Sequence, residues 1–218
     1  MSRRSLPPTA SIAHPGDGAK LHAPSAERNC EAIAAALADI APSDGRALEI
    51  ASGTGQHAVA FATVTPGLIW QPTEIDPARR ASIDAYAAEA DLPNLRPSMA
   101  LDATEAGWSV QQSGQALIVL INLLHLISTP EARRIVTEAA QALARGGRFA
   151  IYGPFLRDGQ ATSEGDARFH ASLMAQDPAI GYKDLAEVEG WLVAEGLTVN
   201  SPREMPANNL FLVAEHRG

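Results

Sequence analysis

Two glycines and three acids set the first chemical expectation. Gly53 and Gly55 lie in Ala51-Ser-Gly-Thr-Gly55, directly after the apolar run Ala47-Leu48-Glu49-Ile50 and before a helical pattern opening at Gln56. Glycines there let backbone N–H groups approach a ligand closely at a helix N-terminus. Glu74 follows Gly55 by 19 residues and ends a second apolar run. A carboxylate in that place accepts both hydroxyls of a ribose. Asp102 ends a third run within reach of an adenine amino group, and Glu49, just ahead of the turn, is placed to point at a ligand's amino group. The pattern calls for a nucleotide-like ligand. Gly53-Thr-Gly55-Gln-His-Ala58 also fits the dinucleotide fingerprint, so a nicotinamide cofactor competes at this stage.

A second group suits the handling of a polar acceptor. His125, in Asn122-Leu-Leu-His125, is a candidate base or acceptor-orienting group, because an imidazole titrates near neutrality. The alternative is a histidine hydrogen-bonded within a buried turn. Tyr152 precedes Gly153-Pro154, which reads as a fixed bend. His57 falls in the first helical turn after the glycines, near the ligand. Arg28 and Asn29 begin the first helix, where a surface ion pair with Glu27 or Glu31 is the alternative for Arg28. The six histidines are scattered, with no His-x-x-x-His or Cys-x-x-Cys pair, so no metal is expected.

These residues need a frame in which strand ends converge. Residues 25–40 read as a helix with Ser25 as N-cap, and further helices are expected over 56–64, 77–90, 131–145 and 184–195. Between them lie strand patterns at 47–50, 68–73, 95–100, 116–122 and 148–152, then two closing strands at 197–204 and 209–215. The run Ala116-Leu-Ile-Val-Leu-Ile-Asn122 is continuously apolar, as in a parallel strand covered on both faces. Alternating strands and helices imply an α/β fold, a doubly wound, mostly parallel seven-stranded sheet. The closing strands have no room for a helix between them and must pair antiparallel. Residues 1–24, rich in proline, read as a flexible N-terminal arm, and residues 25–218 as a single domain.

Composition narrows the function classes. The chain has 218 residues, 46% hydrophobic and 19% charged, enough for one domain with a sizeable core. A net charge of −8 disfavours a phosphate backbone as partner. The lone cysteine, Cys30, excludes an intramolecular disulfide. No apolar run reaches membrane-spanning length and the N-terminus lacks a secretory apolar core, so a cytoplasmic protein is expected.

Leu48-Glu-Ile-Ala-Ser-Gly-Thr-Gly-Gln-His57 resembles the first motif of class I S-adenosylmethionine (SAM) dependent methyltransferases. Ala51 stands where that motif usually has its first glycine, a departure expected to be tolerated only at negative φ. Glu74-Ile-Asp76-Pro resembles the second motif and Leu101-Asp102-Ala103 the third. Trp70-Gln-Pro-Thr, Leu92-Pro-Asn-Leu-Arg-Pro97, Ile151-Tyr-Gly-Pro-Phe155, Ala167-Arg-Phe169 and Glu204-Met-Pro-Ala-Asn-Asn209 are similar to the methyltransferase-like 26 family (domain of unknown function 938). The resemblance implies a Rossmann-like methyltransferase fold using SAM and releasing S-adenosylhomocysteine. It implies cofactor contacts from Arg28, Asn29, Glu49, Ala51, Ser52, Gly53, Gly55, His57, Glu74, Asp76, Asp102, Ala103 and Asn122. His125 and Tyr152 would then serve a small-molecule methyl acceptor. A SAM-binding protein without methyl transfer, or an NAD-dependent oxidoreductase, is the alternative.

Overall fold

The computed structural model describes residues 12–217. The main strands are β1 (Gly45–Ile50), β2 (Leu68–Pro72), β3 (Gln115–Ile121), β4 (Leu143–Gly153), β5 (Thr198–Val199), β6 (Arg203–Glu204) and β7 (Leu210–Glu215). They form one seven-stranded sheet in the order β6-β7-β4-β3-β1-β2, with β5 also on β7. Neighbours from β4 to β2 run parallel, and β7 is antiparallel to β4, β5 and β6. The main helices are α1 (Pro24–Ala38), α2 (Gln56–Val64), α3 (Pro77–Ala90), α4 (Thr129–Ala142), α5 (Glu164–Gln176) and α6 (Leu185–Ala194).

Side-chain alternation along each strand splits the core in two. Leu48, Ile50, Ile118, Leu120, Phe149 and Ile151 pack with Ile135 and Val136 of α4 and Val188 and Leu192 of α6. Ala47, Leu117, Val119, Ala150 and Tyr152 pack on the opposite face with Ile33 and Leu37 of α1 and Phe61 of α2. Glu49 shares the parity of Ala47, so this lone acid of β1 lies on the α1–α2 side. Parallel strands covered on both faces place their carboxyl ends in one crevice, where an open α/β sheet binds ligands.

Several boundaries differ from expectation for identifiable reasons. Residues 95–100 make two isolated bridges, Trp70 to Leu95 and Thr73 to Met99, instead of a strand. Pro72 supplies no N–H where the ladder would run, and the Ser98 N–H, next in line after that of Arg96, donates to Asp84 Oδ1 at 2.7 Å instead. The strand expected over 197–204 is split into β5 and β6, both on β7, and Pro202 lies in the gap. Helix α1 begins at Pro24, and Ser25 is within it and is not its cap. Helix α4, with a Ser128–Glu131 capping box, ends at Ala142, before the Gly146-Gly147 pair. Those glycines belong to β4, where a Cβ on Gly147 would meet the Gln115 carbonyl oxygen at 2.6 Å. Within the expected arm, His14–Pro15 pairs with Leu21–His22, and the Leu21 N–H donates to Ser82 Oγ at 2.8 Å. Residues 1–11 of that arm lie outside the described residues.

Candidate active site

The turn after β1 is built on left-handed backbone. Ala51, Gly53 and Gly55 have φ of 53°, 61° and 96°. Ala51 therefore adopts the conformation of the glycine it replaces, against the expected negative φ, at a cost of roughly 1–2 kcal/mol. The turn is held to the end of β2 by the Ser52 N–H donating to the Thr73 carbonyl at 2.8 Å. Gly55 is the N-cap of α2, and a Cβ there would lie 2.7 Å from the Ile83 Cα. Its place in the structure is close packing of α3 against the turn.

A cavity of about 460 Å³ opens above these strand ends, lined by Glu49, Ala51, Ser52, Gly53, His57, Glu74, Asp76 and Asn122 among others. Glu74 is fixed by backbone donors: Gly53 N–H to Oε2 at 3.0 Å, and Ile75 and Asp76 N–H to Oε1 at 2.8 and 3.1 Å. Asp76 Oδ1 accepts from the Ala78 and Arg79 N–H groups and caps α3. Glu49 is 1% exposed, and its Oε2 has no hydrogen-bond partner among the described residues. Burial above all, opposed by a Ser52 hydrogen bond and reinforced by the Glu74 charge, pushes its carboxyl up to about 8. His57 is held neutral by burial, its pKa lowered to about 4, and its ring stacks on Phe61. Its Nε2–H donates to Asn29 Oδ1 at 2.9 Å.

A second cavity, of about 820 Å³, is lined by Arg28, Asn29, His125, Tyr152, Asp166, Phe169, Tyr182 and Asn209 among others. Ile12, Ser25 and Asn122 line both cavities. Asn122 turns away from β3 at a left-handed φ of 54°, which Asn tolerates better than most residues. His125 is buried in a single 3₁₀ turn, Leu124–Leu126. Its ring meets Phe169 and Tyr182 edge-on at 6.0 and 5.9 Å. Burial first, and the Lys183 charge second, lower its pKa to about 3, so the imidazole is neutral at physiological pH. Burial raises the Tyr152 phenol, against hydrogen bonding with the Asn29 and Asn209 side chains.

The residues expected around one cofactor are thus distributed over two cavities. Glu49, Ala51, Ser52, Gly53, His57, Glu74, Asp76 and Asn122 reach the first, whereas Arg28 and Asn29 line the second. Gly55, Asp102 and Ala103 are in the lining of neither. Asp102 Oδ1 accepts from the Thr104 N–H and hydroxyl, and the Ala103 carbonyl accepts from Trp108 Nε1. Arg28 makes no ion pair with Glu27 or Glu31: Glu27 pairs with His22 at 3.3 Å. Asp166, Phe169 and Tyr182 were outside the expected site. Ser163, three residues before Asp166, caps α5 and was the available sign of a helix there.

Residues 20–216 match the model of the family described as protein of unknown function (DUF938). Among solved structures, an O-methyltransferase family protein from Burkholderia thailandensis is 17% identical, at a TM-score of 0.75 over 88% of this chain and 56% of that one. Human N-acetylserotonin methyltransferase, in complex with SAM, is 12% identical, with a TM-score of 0.72 over 88% of this chain and 52% of that one. The YcgJ protein from Bacillus subtilis is 14% identical, with a TM-score of 0.66 over 88% and 99%. The chain spans just over half the length of the first two. The fold is that of the class I methyltransferases. No helix among the described residues is long and apolar enough to cross a membrane.

Proposed function

The chain belongs to the DUF938 family, and from that membership, its fold and its two adjoining cavities we propose that it transfers a methyl group from SAM to a small-molecule acceptor. The observation that carries this reading is the buried, unpartnered Oε2 of Glu49 on the wall of the first cavity. A buried carboxylate oxygen without a donor is costly. The α-ammonium of SAM is a donor set that fits it. Glu74, already fixed by three N–H groups, supplies the acceptor for ribose hydroxyls, and the left-handed turn at Ala51 and Gly53 leaves the backbone open to close approach. When bound, SAM supplies an electrophilic methyl group on a sulfonium.

The remaining work falls to side chains of the second cavity. Much of the catalysis of an in-line displacement is proximity and orientation. Asn122, common to both cavities, marks where an acceptor would face the first cavity. Neutral His125 and the Tyr152 hydroxyl can each donate or accept one hydrogen bond to a polar acceptor atom. A small-molecule acceptor suits a cavity of this size.

Calorimetry with SAM, S-adenosylhomocysteine and NAD tests the cofactor, with micromolar affinity expected for the first two. Heat from NAD alone would overturn the assignment. Co-purification of a methylated small molecule, read by mass spectrometry, tests the transfer.

A further inference from the structure

We infer that the acceptor cavity takes an aromatic molecule bearing a carboxylate, with Arg28 as its anchor; this rests on the methyltransferase reading above. Arg28 and Asp166 are the Arg, Lys, Asp or Glu side chains in the lining of the second cavity. Asp166 is already supplied with donors: Ser163 Oγ at 2.7 Å, Asn208 Nδ2 at 2.9 Å and the Tyr182 hydroxyl at 3.4 Å. The Arg28 side chain has no hydrogen bond or ion pair with any described residue, and its neighbour Glu27 is taken up by His22. Residues 1–11 contain no Asp or Glu that would supply a side-chain carboxylate. Among the described residues of the cavity wall, Arg28 is therefore a cation without a partner. The planar guanidinium fork matches a carboxylate through two parallel hydrogen bonds.

The remaining wall selects the body of the ligand. His125, Phe169 and Tyr182 form a mutual edge-to-face group with ring centroids 5.9–6.1 Å apart. Pro24, Pro154 and Pro206 add rigid apolar surface. Such a wall packs against a further aromatic ring in the same offset or edge-on geometry. The neutral state of His125 adds no second cation. An aliphatic dication would find little to complement it.

The test uses matched pairs of probes on protein saturated with S-adenosylhomocysteine. The pairs are 4-hydroxybenzoate with 4-hydroxybenzamide, and 4-hydroxycinnamate with its amide. By calorimetry at least one acid should bind about tenfold or more tighter than its amide, the worth of a charge-assisted contact. Arg28→Gln should abolish that preference, and Arg28→Lys should restore part of it. S-adenosylhomocysteine affinity should be unchanged in both variants, because Arg28 is not in the first cavity's lining. Acids that bind no better than amides, or a preference that survives in Arg28→Gln, would overturn the inference. If S-adenosylhomocysteine still binds in that outcome, the methyltransferase reading stands; if it does not bind, that reading fails too.

Discussion

His57 Nε2–H donates to Asn29 Oδ1 at 2.9 Å, and this bond ties the glycine turn to the wall of the second cavity. His57 lines the first cavity and Asn29 the second, where its side chain also opposes the burial that raises the Tyr152 phenol. The ring is neutral, and the bond to Asn29 fixes its proton on Nε2 while it remains buried on Phe61.

Asn29→Asp should disturb both cavities together. It puts a carboxylate beside His57, so the imidazole pKa should rise from about 4 toward neutrality. NMR titration of the His57 ring measures it. The variant also places a charge near the Tyr152 phenol in the second cavity and should bind acceptor more weakly. An unchanged His57 titration would refute the coupling.

Ala51 and Gly55 should respond in opposite directions to exchange between Ala and Gly. Ala51→Gly relieves a left-handed alanine at φ 53° and should stabilise the fold by about 1 kcal/mol. Gly55→Ala adds a Cβ 2.7 Å from the Ile83 Cα at φ 96° and should destabilise by about 2–4 kcal/mol. Denaturant unfolding of both variants checks the pair.

The same turn shows why the cofactor side was legible in the sequence and the acceptor side less so. Glycines and acids at strand ends are local signals, and Glu49 and Glu74 reach one cavity because parallel strands end together. Helix α5 gives no such signal. Leu173 is its one fully buried residue, so it shows no apolar stripe of helical period. Yet α5 and the loop after it bring Asp166, Phe169 and Tyr182 to His125. The bridges at Leu95 and Met99 fall short of a strand, and apolar pattern alone does not register the missing N–H of Pro72 or the Ser98 N–H taken by Asp84.

Glu49 should make both stability and cofactor affinity depend on pH. Between about 4.5 and about 8 the folded protein keeps a proton that the unfolded chain has released. Raising pH across that window therefore costs stability. Glu49→Gln removes the cost, so its advantage in melting temperature should be small near pH 5 and largest above pH 8. Cofactor affinity should rise from about pH 6 to about pH 8 as the carboxylate ionises to receive the ligand's ammonium, and the Gln variant should lose that rise. A wild-type affinity flat across this range would place the ammonium elsewhere.

His125 should act through a hydrogen bond and not as a general base. An efficient base has a pKa near the working pH, whereas burial and Lys183 lower this imidazole to about 3. Its surroundings oppose a positive charge further: Phe169 and Tyr182 enclose the ring, and the Lys183 ammonium donates to the nearby Ile127 and Gly181 carbonyls. His125→Asn keeps a polar group of similar reach, so kcat should fall by less than about tenfold while KM rises by a comparable factor. The kcat profile between about pH 5 and pH 9 should show no inflection that disappears in the variant. Cofactor affinity should stay at the wild-type value, since His125 is not in the first cavity's lining. A fall in kcat of about a hundredfold or more, together with loss of an acid limb near neutrality, would assign proton removal to His125. That result would also require the bound acceptor to raise the imidazole pKa by several units, which an anionic ligand beside the ring could do through its charge.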